Sequence, residues 1–291
     1  MKLGIFGRQF EKKCFEGIKE FFSTLDSKKI EITIHEKFHA FLFDHQLINK
    51  QHLQFHDTEG IKDCNYIITI GGDGTLLEAI TLIRDLEIPI LGINAGRLGF
   101  MATTPVSDSI PALEDLLSNN VTIETRSLVS CETDQEIFKE LNFGLNELAI
   151  QKKDTSSMIV IHTYLNVEFL NSYWADGLII ATATGSTGYS LSCGGPLLMP
   201  GNNNFIIAPV NPHNLNVRPM VVPDSSVLTF ELEGRAKRVL LSLDARSIST
   251  PTNIKLMVKK ADFNAKLVQP RHYSYFNTLR NKLNWGIDAR N

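Results

Sequence analysis

No Gly-Lys dipeptide occurs anywhere in the 291 residues, so the chain lacks the lysine-bearing P-loop that many nucleotide-binding proteins use. Cysteine is sparse. Cys14, Cys64, Cys131 and Cys193 are far apart, and no CxxC pair exists to suggest a zinc site or a redox couple. That usage points to a reducing compartment, the cytoplasm. No apolar run approaches the ~20 residues needed to cross a bilayer. Residues 1–7 read as a first strand rather than a secretion signal. Charge of neither sign dominates: 29 Lys and Arg stand against 32 Asp and Glu. With that balance, neither nucleic acid nor a membrane surface is an expected partner. Neither Ser186 nor Ser190 has the flanking glycine pair of a nucleophile elbow. Internal repeats and low-complexity linkers are absent as well.

Apolar residues make up 43% of the chain, enough for a large core or two medium ones. The first part alternates strand-like and helix-like segments. Residues 2–7, 30–34, 66–70 and 88–93 read as strands. Phe15, Ile18, Phe21, Phe22 and Leu25 fall at helical spacing, and a helix is expected near 107–118. This alternation predicts an α/β domain, a parallel sheet with covering helices, over residues 1–120. From residue 121 the pattern becomes β-like, in stretches at 121–131, 137–150, 158–165, 168–175, 178–182, 205–208, 227–233, 239–243 and 254–258. A second, mostly β, sandwich-like domain is therefore expected over 121–272. The tail, 273–291, contains a helix-like run and is expected to return to the first domain.

Within this plan Gly71-Gly72-Asp73-Gly74-Thr75 stands out. It follows an apolar strand and opens a helix. Glycines let backbone approach a ligand closely, and a helix start offers free N–H groups suited to phosphate. An aspartate there points to a proton acceptor or a metal contact. A second glycine loop, 94–100, also follows a strand, and in parallel sheets ligands bind beyond the carboxyl ends of strands. Further on, an apolar strand runs into Thr184-Gly185-Ser186-Thr187-Gly188-Tyr189, with Gly194-Gly195-Pro196 close behind. Small hydroxyls and glycines of this kind make a close-fitting polar pocket. Asn146-Glu147 interrupts an apolar β stretch, so one of the pair faces inward unless the strand lies at an edge.

Taken together, these motifs resemble the NAD kinases, which phosphorylate the 2′-hydroxyl of the adenosine ribose of NAD. The likeness runs through 71–74, 96–100, Asn146-Glu147, 176–189, 194–196, Pro212-His213 and Arg218-Pro219. The glycine turn alone is shared with lipid kinases of the diacylglycerol type and with phosphofructokinases. The Asn-Glu pair and the Thr-Gly-Ser-Thr-x-Tyr run are more specific. The resemblance implies that Asp73 is the catalytic carboxylate, and that Gly71, Gly72 and Thr75 hold phosphate. It implies NAD contacts at Gly74, Phe100, Asn146, Glu147, Thr187, Gly188, Tyr189, Ser190, Ser192 and Arg246. Asp176 would reach the dinucleotide from a neighbouring subunit, in a homodimer or homotetramer. Mg²⁺ or another divalent cation would accompany ATP.

Four positions depart from the family pattern. Ala175 and Gly188 replace the usual Gly and Ala, Ala183 removes a proline, and Arg246 stands where many members carry a Gln that touches substrate. The competing readings are a lipid kinase and a non-catalytic dinucleotide-binding protein. The Gly, Ser and Thr content of 184–196 suits a polar dinucleotide better than an acyl chain.

His35-Glu36-Lys37-Phe38-His39 matches the HExxH pattern of zinc proteases. The first histidine directly follows a strand-like run, so the pair would not share one helical face, as zinc ligation requires. Purified protein is therefore expected to carry no stoichiometric zinc. One zinc per chain by elemental analysis, with activity lost on chelation and restored by zinc, would contradict this.

Overall fold

The computed structural model describes residues 1–97, 99–153, 157–235, 237–271 and 273–286. Leu98 of the second glycine loop and residues 287–291 of the tail lie outside the described residues. The chain forms two compact units, Met1–Thr125 with Ala265–Asn291, and Arg126–Asn264.

In the first unit, β1 (Lys2–Gly7), β2 (Glu31–His35), β3 (Leu53–Phe55), β4 (Tyr66–Gly71) and β5 (Ile90–Asn94) are all parallel. Their spatial order is β3-β2-β1-β4-β5. The central strands are buried almost throughout, which is why they read as unbroken apolar runs. Helices α1 (Phe15–Ser27), α2 (Glu36–Asp44), α3 (Asp73–Ile83) and α4 (Ser109–Leu117) complete the α/β pattern. Ile18, Phe21, Phe22 and Leu25 of α1 are buried, as the spacing predicts. They share one core with Leu3, Ile5, Ile34, Phe38, Ile68, Leu91 and Leu113. A short strand, β6 (Thr104–Pro105), extends the sheet beside β5.

The second unit is antiparallel. It contains β7 (Val121–Thr133) from Arg126 onward, then β8 (Phe143–Gly144), β9 (Glu147–Lys152), β10 (Ile159–Leu165), β11 (Glu168–Ala175) and β12 (Gly177–Ala181). The one-turn helix α5 (Tyr189–Ser192) precedes β13 (Asn204–Val210), β14 (Met220–Pro223), β15 (Leu228–Glu233), β16 (Arg238–Leu243) and β17 (Arg246–Pro251). One sheet has the order β14-β13-β12-β9-β16-β17. Facing it are β10, β11, β15 and the first half of β18 (Lys255–Pro270). Leu148, Ile150, Leu178, Ile180, Phe205 and Ile207 from the first sheet pack on Ile159, Ile161, Leu228, Phe230, Leu256 and Val258 from the second. This is a sandwich core. The other face of the six-stranded sheet, with Ala149, Ile179, Ala181, Ile206 and Ala208, is covered partly by Cys193 and Leu198.

The boundaries differ from those expected at 121 and 273. Strand β18 is 16 residues long, where the sequence suggested only 254–258. Its first half pairs with β15 in the second unit, and Leu267 pairs with Ile90 in the first. Asp262 and Asn264 are turn-type residues that lie near the boundary, yet the strand runs through them because its pairing passes from one unit to the other. The tail helix Tyr275–Leu283 belongs to the first unit. Among the described residues no helix is long and apolar enough to cross a membrane.

His35 ends β2 and caps α2, while His39 lies inside α2. His39 is buried and accepts the His52 N–H at 3.4 Å through Nε2. Among the described residues no group of three His, Cys, Asp or Glu side chains is placed to hold a metal. Burial pulls all three imidazoles, His35, His39 and His52, below the ordinary histidine pKa. They are neutral when folded and take up protons more readily when unfolded. Their contribution to stability is therefore complete above ~6.5, the unfolded value, and is lost as pH falls through the lowered folded values. Thermal unfolding from pH 8 to 5 is expected to show Tm falling in that window. His39→Gln, which cannot titrate, should flatten part of the slope.

Candidate active site

Strand β4 ends at Gly71 and α3 begins at Asp73, with Gly72 at the N-cap supplying no side chain. An α-helix leaves its first N–H groups without intrahelical partners, so this turn keeps donors for a ligand. Thr75 is buried directly beneath Gly71, where a methyl group added to the glycine would lie 2.2 Å from Thr75 Oγ1.

Asp73 does not point its charge at the turn. Its carboxylate lies against the second glycine loop and accepts three consecutive backbone N–H groups. Phe100 donates to Oδ2 at 2.8 Å, while Met101 and Ala102 donate to Oδ1 at 3.1 and 2.9 Å. A methyl group at Gly99 would stand 2.0 Å from Oδ1, so only glycine admits the carboxylate here. From the other side, Asn94 at the end of β5 donates to the carbonyls of Arg97 and Ala102 and accepts from the Gly96 N–H. Asp73 and Asn94 together hold the 96–102 loop with Phe100 half-buried on it. Asn94 was missing from the sequence-based candidates. The available signal was a buried polar residue closing an apolar strand.

The second unit brings its own set together. Asn146 directly precedes β9 and Glu147 opens it, pairing with Ala181 at the end of β12. The 184–192 segment follows at once, as a tight turn and then α5. Glu147 Oε2 is buried without a hydrogen-bond partner, and a methyl group at Gly188 would lie 2.8 Å from it. Burial pushes the Glu147 carboxyl up to about 7. The Asp244 charge adds to the rise, and the Tyr189 N–H offsets part of it. Tyr189 is partly exposed, and its hydroxyl accepts from Gln151 at 3.0 Å. Thr187 donates its hydroxyl to the Thr184 carbonyl. Ser190 is buried and Ser192 exposed.

Two candidates sit apart from this group. Asp176 precedes β12, five residues from Ala181, which places it about 16 Å along the strand from the Glu147 end. Its carboxylate takes Lys152 at 2.6 Å and Asn211 at 3.2 Å, and the Lys152 hydrogen bond holds its pKa below the usual carboxylate range. Arg246 points at its own unit, donating to the Leu141 and Phe143 carbonyls.

A glycine-lined helix start with a caged aspartate in one unit, and a β-sandwich carrying a polar Gly-Ser-Thr segment in the other, define a nucleotide phosphotransferase of two-part build. Family models agree. ATP-NAD kinase N-terminal domain matches residues 3–121, and ATP-NAD kinase C-terminal domain matches 145–269. The NAD kinase of Cytophaga hutchinsonii is 48% identical, with 100% of both chains covered. Those of Flavobacterium johnsoniae and Bacteroides fragilis are 44% and 39% identical, again over 100% of both chains. Among solved structures, yeast NADH kinase complexed with NADH aligns at TM-score 0.87 and 19% identity, over 99% of this chain and 89% of that one. An NAD kinase from Archaeoglobus fulgidus in complex with ATP aligns at 0.74 and 22%, over 98% and 99%. The chain belongs to the NAD kinase family, and its activity is transfer of the terminal phosphoryl of ATP to the ribose 2′-hydroxyl of NAD.

The Asp73 cradle yields a test. Gly99→Ala forces the carboxylate or the loop to move, and a misplacement of about 1 Å near the chemistry can cost ~10²-fold. This variant is expected to lose at least about tenfold in kcat while unfolding at nearly the wild-type temperature. Steady-state kinetics with a melting curve would check it, and unchanged kcat would show that the close approach is dispensable.

Proposed function

We propose that Asp73 is the group that receives the ribose 2′-hydroxyl. A carboxylate offers about four lone-pair sites. Three are taken by Phe100, Met101 and Ala102, two of them on Oδ1. The open site is on Oδ2, and this asymmetry is the observation that carries the reading. A hydroxyl donating to Oδ2 is oriented with one oxygen lone pair toward the phosphoryl donor. As the new P–O bond forms and the bond to ADP breaks, the hydroxyl proton passes to Oδ2. Carboxylates are weak bases at neutral pH, so the contribution is mainly one of position, with late proton transfer.

The N–H groups at 72–74 would take ATP phosphate oxygens, while Gly71 and Thr75, whose own N–H donates to the Gly72 carbonyl at 3.0 Å, shape the turn, with Gly74 exposed beside it. The donor set fits a divalent cation that arrives on the ATP phosphates, since among the described residues no carboxylate cluster stands ready to hold one. When bound, Mg²⁺ would neutralise charge on the transferred group. Asn146, Glu147, Thr187, Gly188, Tyr189, Ser190 and Ser192 of the second unit would contact NAD, and Phe100 would form an apolar wall. Asp176, at the far end of β12, suits the dinucleotide of a neighbouring subunit in a homodimer or homotetramer. The four free cysteines, with the Cys64 and Cys131 thiols raised to about 11 and 12 by burial, are consistent with a cytoplasmic protein.

The test is an assay crossing ATP or polyphosphate with NAD or NADH, with Mg²⁺ omitted as a control, run on wild type and Asp73→Asn. The asparagine keeps the shape but offers an NH₂ to amides that need acceptors. Its kcat is expected to fall by at least about two orders of magnitude with the fold retained. Near-normal turnover would remove Asp73 from the mechanism.

A further inference from the structure

Beyond the groups that would touch substrate, we infer that Asp244 is a positioning residue that fixes Asn146 and Glu147 for the dinucleotide. The inference rests on the assignment of those two side chains to NAD. Asp244 lies in the turn between β16 and β17, 97 residues after Glu147. Its Oδ2 accepts the Leu145 N–H at 2.8 Å, and its Oδ1 accepts Asn146 at 2.8 Å and Glu147 at 3.2 Å. Its own N–H donates to the Glu147 carbonyl at 3.0 Å. Thr182 takes the remaining groups: its hydroxyl donates to the Leu145 carbonyl at 2.5 Å and its N–H to the Asn146 carbonyl at 2.8 Å.

Every backbone donor and acceptor of Leu145, Asn146 and Glu147 is thus satisfied by two residues. With the main chain held on both sides, the direction in which the Asn146 and Glu147 side chains leave it is fixed. Two further features support the grip. Gly144 leaves the space, since a methyl group there would stand 3.0 Å from Asp244 Oδ1. Arg246, two residues after Asp244, forks onto the carbonyls of Leu141 and Phe143, with its guanidinium 5.6 Å over the Phe143 ring. The turn therefore takes N–H groups with a carboxylate and carbonyls with a guanidinium, along one stretch of chain. An ionised carboxylate withdrawn from water is costly. Burial pushes the Asp244 carboxyl above its ordinary pKa, and the N–H groups of Leu145, Asn146 and Glu147, with the Arg246 charge, oppose that rise, so acid and backbone hold one another. The electrostatic influence of Asp244 reaches the Glu147 carboxyl, which it helps to keep easily protonated.

The test is a set of variants, Asp244→Asn, Glu147→Gln and the double variant, measured for kcat, KM for NAD, KM for ATP and Tm. Asp244→Asn is expected to raise KM for NAD about tenfold, the equivalent of a lost hydrogen bond or two, with KM for ATP within about twofold. In the Glu147→Gln background the same change is expected to add less than about threefold, because the side chain being positioned is already impaired. If Glu147→Gln raises KM for NAD but Asp244→Asn does not, or if the two factors multiply in full, the positioning role is overturned while the NAD contact stands. If Glu147→Gln leaves KM for NAD unchanged, the contact itself falls, and this inference with it. Should Asp244→Asn fail to fold, Arg246→Lys takes its place, since an ammonium cannot fork onto two carbonyls. A rise of about two- to fivefold in KM for NAD, non-additive with Glu147→Gln, is then expected. An unchanged KM in folded Arg246→Lys overturns the role.

Discussion

One arrangement governs both halves of the molecule: a carboxylate seated on three consecutive main-chain N–H groups, with a glycine just before them. In the first unit it is Asp73 on residues 100–102 after Gly99. In the second it is Asp244 on residues 145–147 after Gly144. Hydrogen bonds to an ionised acceptor are about twice as strong as neutral ones, and three on one side chain fix a loop that has no regular structure of its own. The two copies differ in use. In the proposed mechanism Asp73 keeps a lone pair for a substrate, whereas Asp244 is enclosed by its own unit and serves the neighbours that follow Gly144.

This arrangement also resolves a tension at the glycine turn. A carboxylate at the start of a phosphate-binding helix would repel the ligand if it faced the same way as the helix N–H groups. Asp73 turns away from them and spends its charge on the adjacent loop. The helix terminus thereby stays available to anions, and the acid is held rigidly beside it. In the proposed mechanism this is preorganisation, with reacting groups placed before substrate arrives, which is how positioning lowers a barrier.

Much of the fold was readable because it rests on periodic signals. The parallel strands of the first unit are apolar runs, α1 shows helical spacing, and the β-rich second half announces itself in short alternating stretches. Residues 71–75, the Asn146-Glu147 pair and the 184–190 segment were readable because their residue types are unusual for their setting. What escaped were interactions between a side chain and distant backbone. Asn94, Thr182 and Asp244 act on main-chain groups, and main-chain groups leave no trace in residue identity. The 97-residue separation between Asp244 and Glu147 makes their meeting a property of the sheet, not of any local pattern. Strand β18 was underestimated for the opposite reason, since it runs through Asp262 and Asn264, residue types that locally favour turns. The histidine pair at 35 and 39 shows that a motif match depends on element type: a strand-to-helix junction falls between the two rings.

The Asp73 cradle has a consequence for how this chain tolerates change. All three donors belong to the main chain, so no side-chain replacement at 100, 101 or 102 abolishes one, except proline, which has no N–H. At the half-buried Phe100 the side chain can therefore vary without removing a donor, whereas Met101 and Ala102 are buried and are held to their size by packing. Vulnerability is concentrated instead at Asp73, Gly99 and Asn94, which together act as a fixed mounting beneath a side chain at 100 that is free to change.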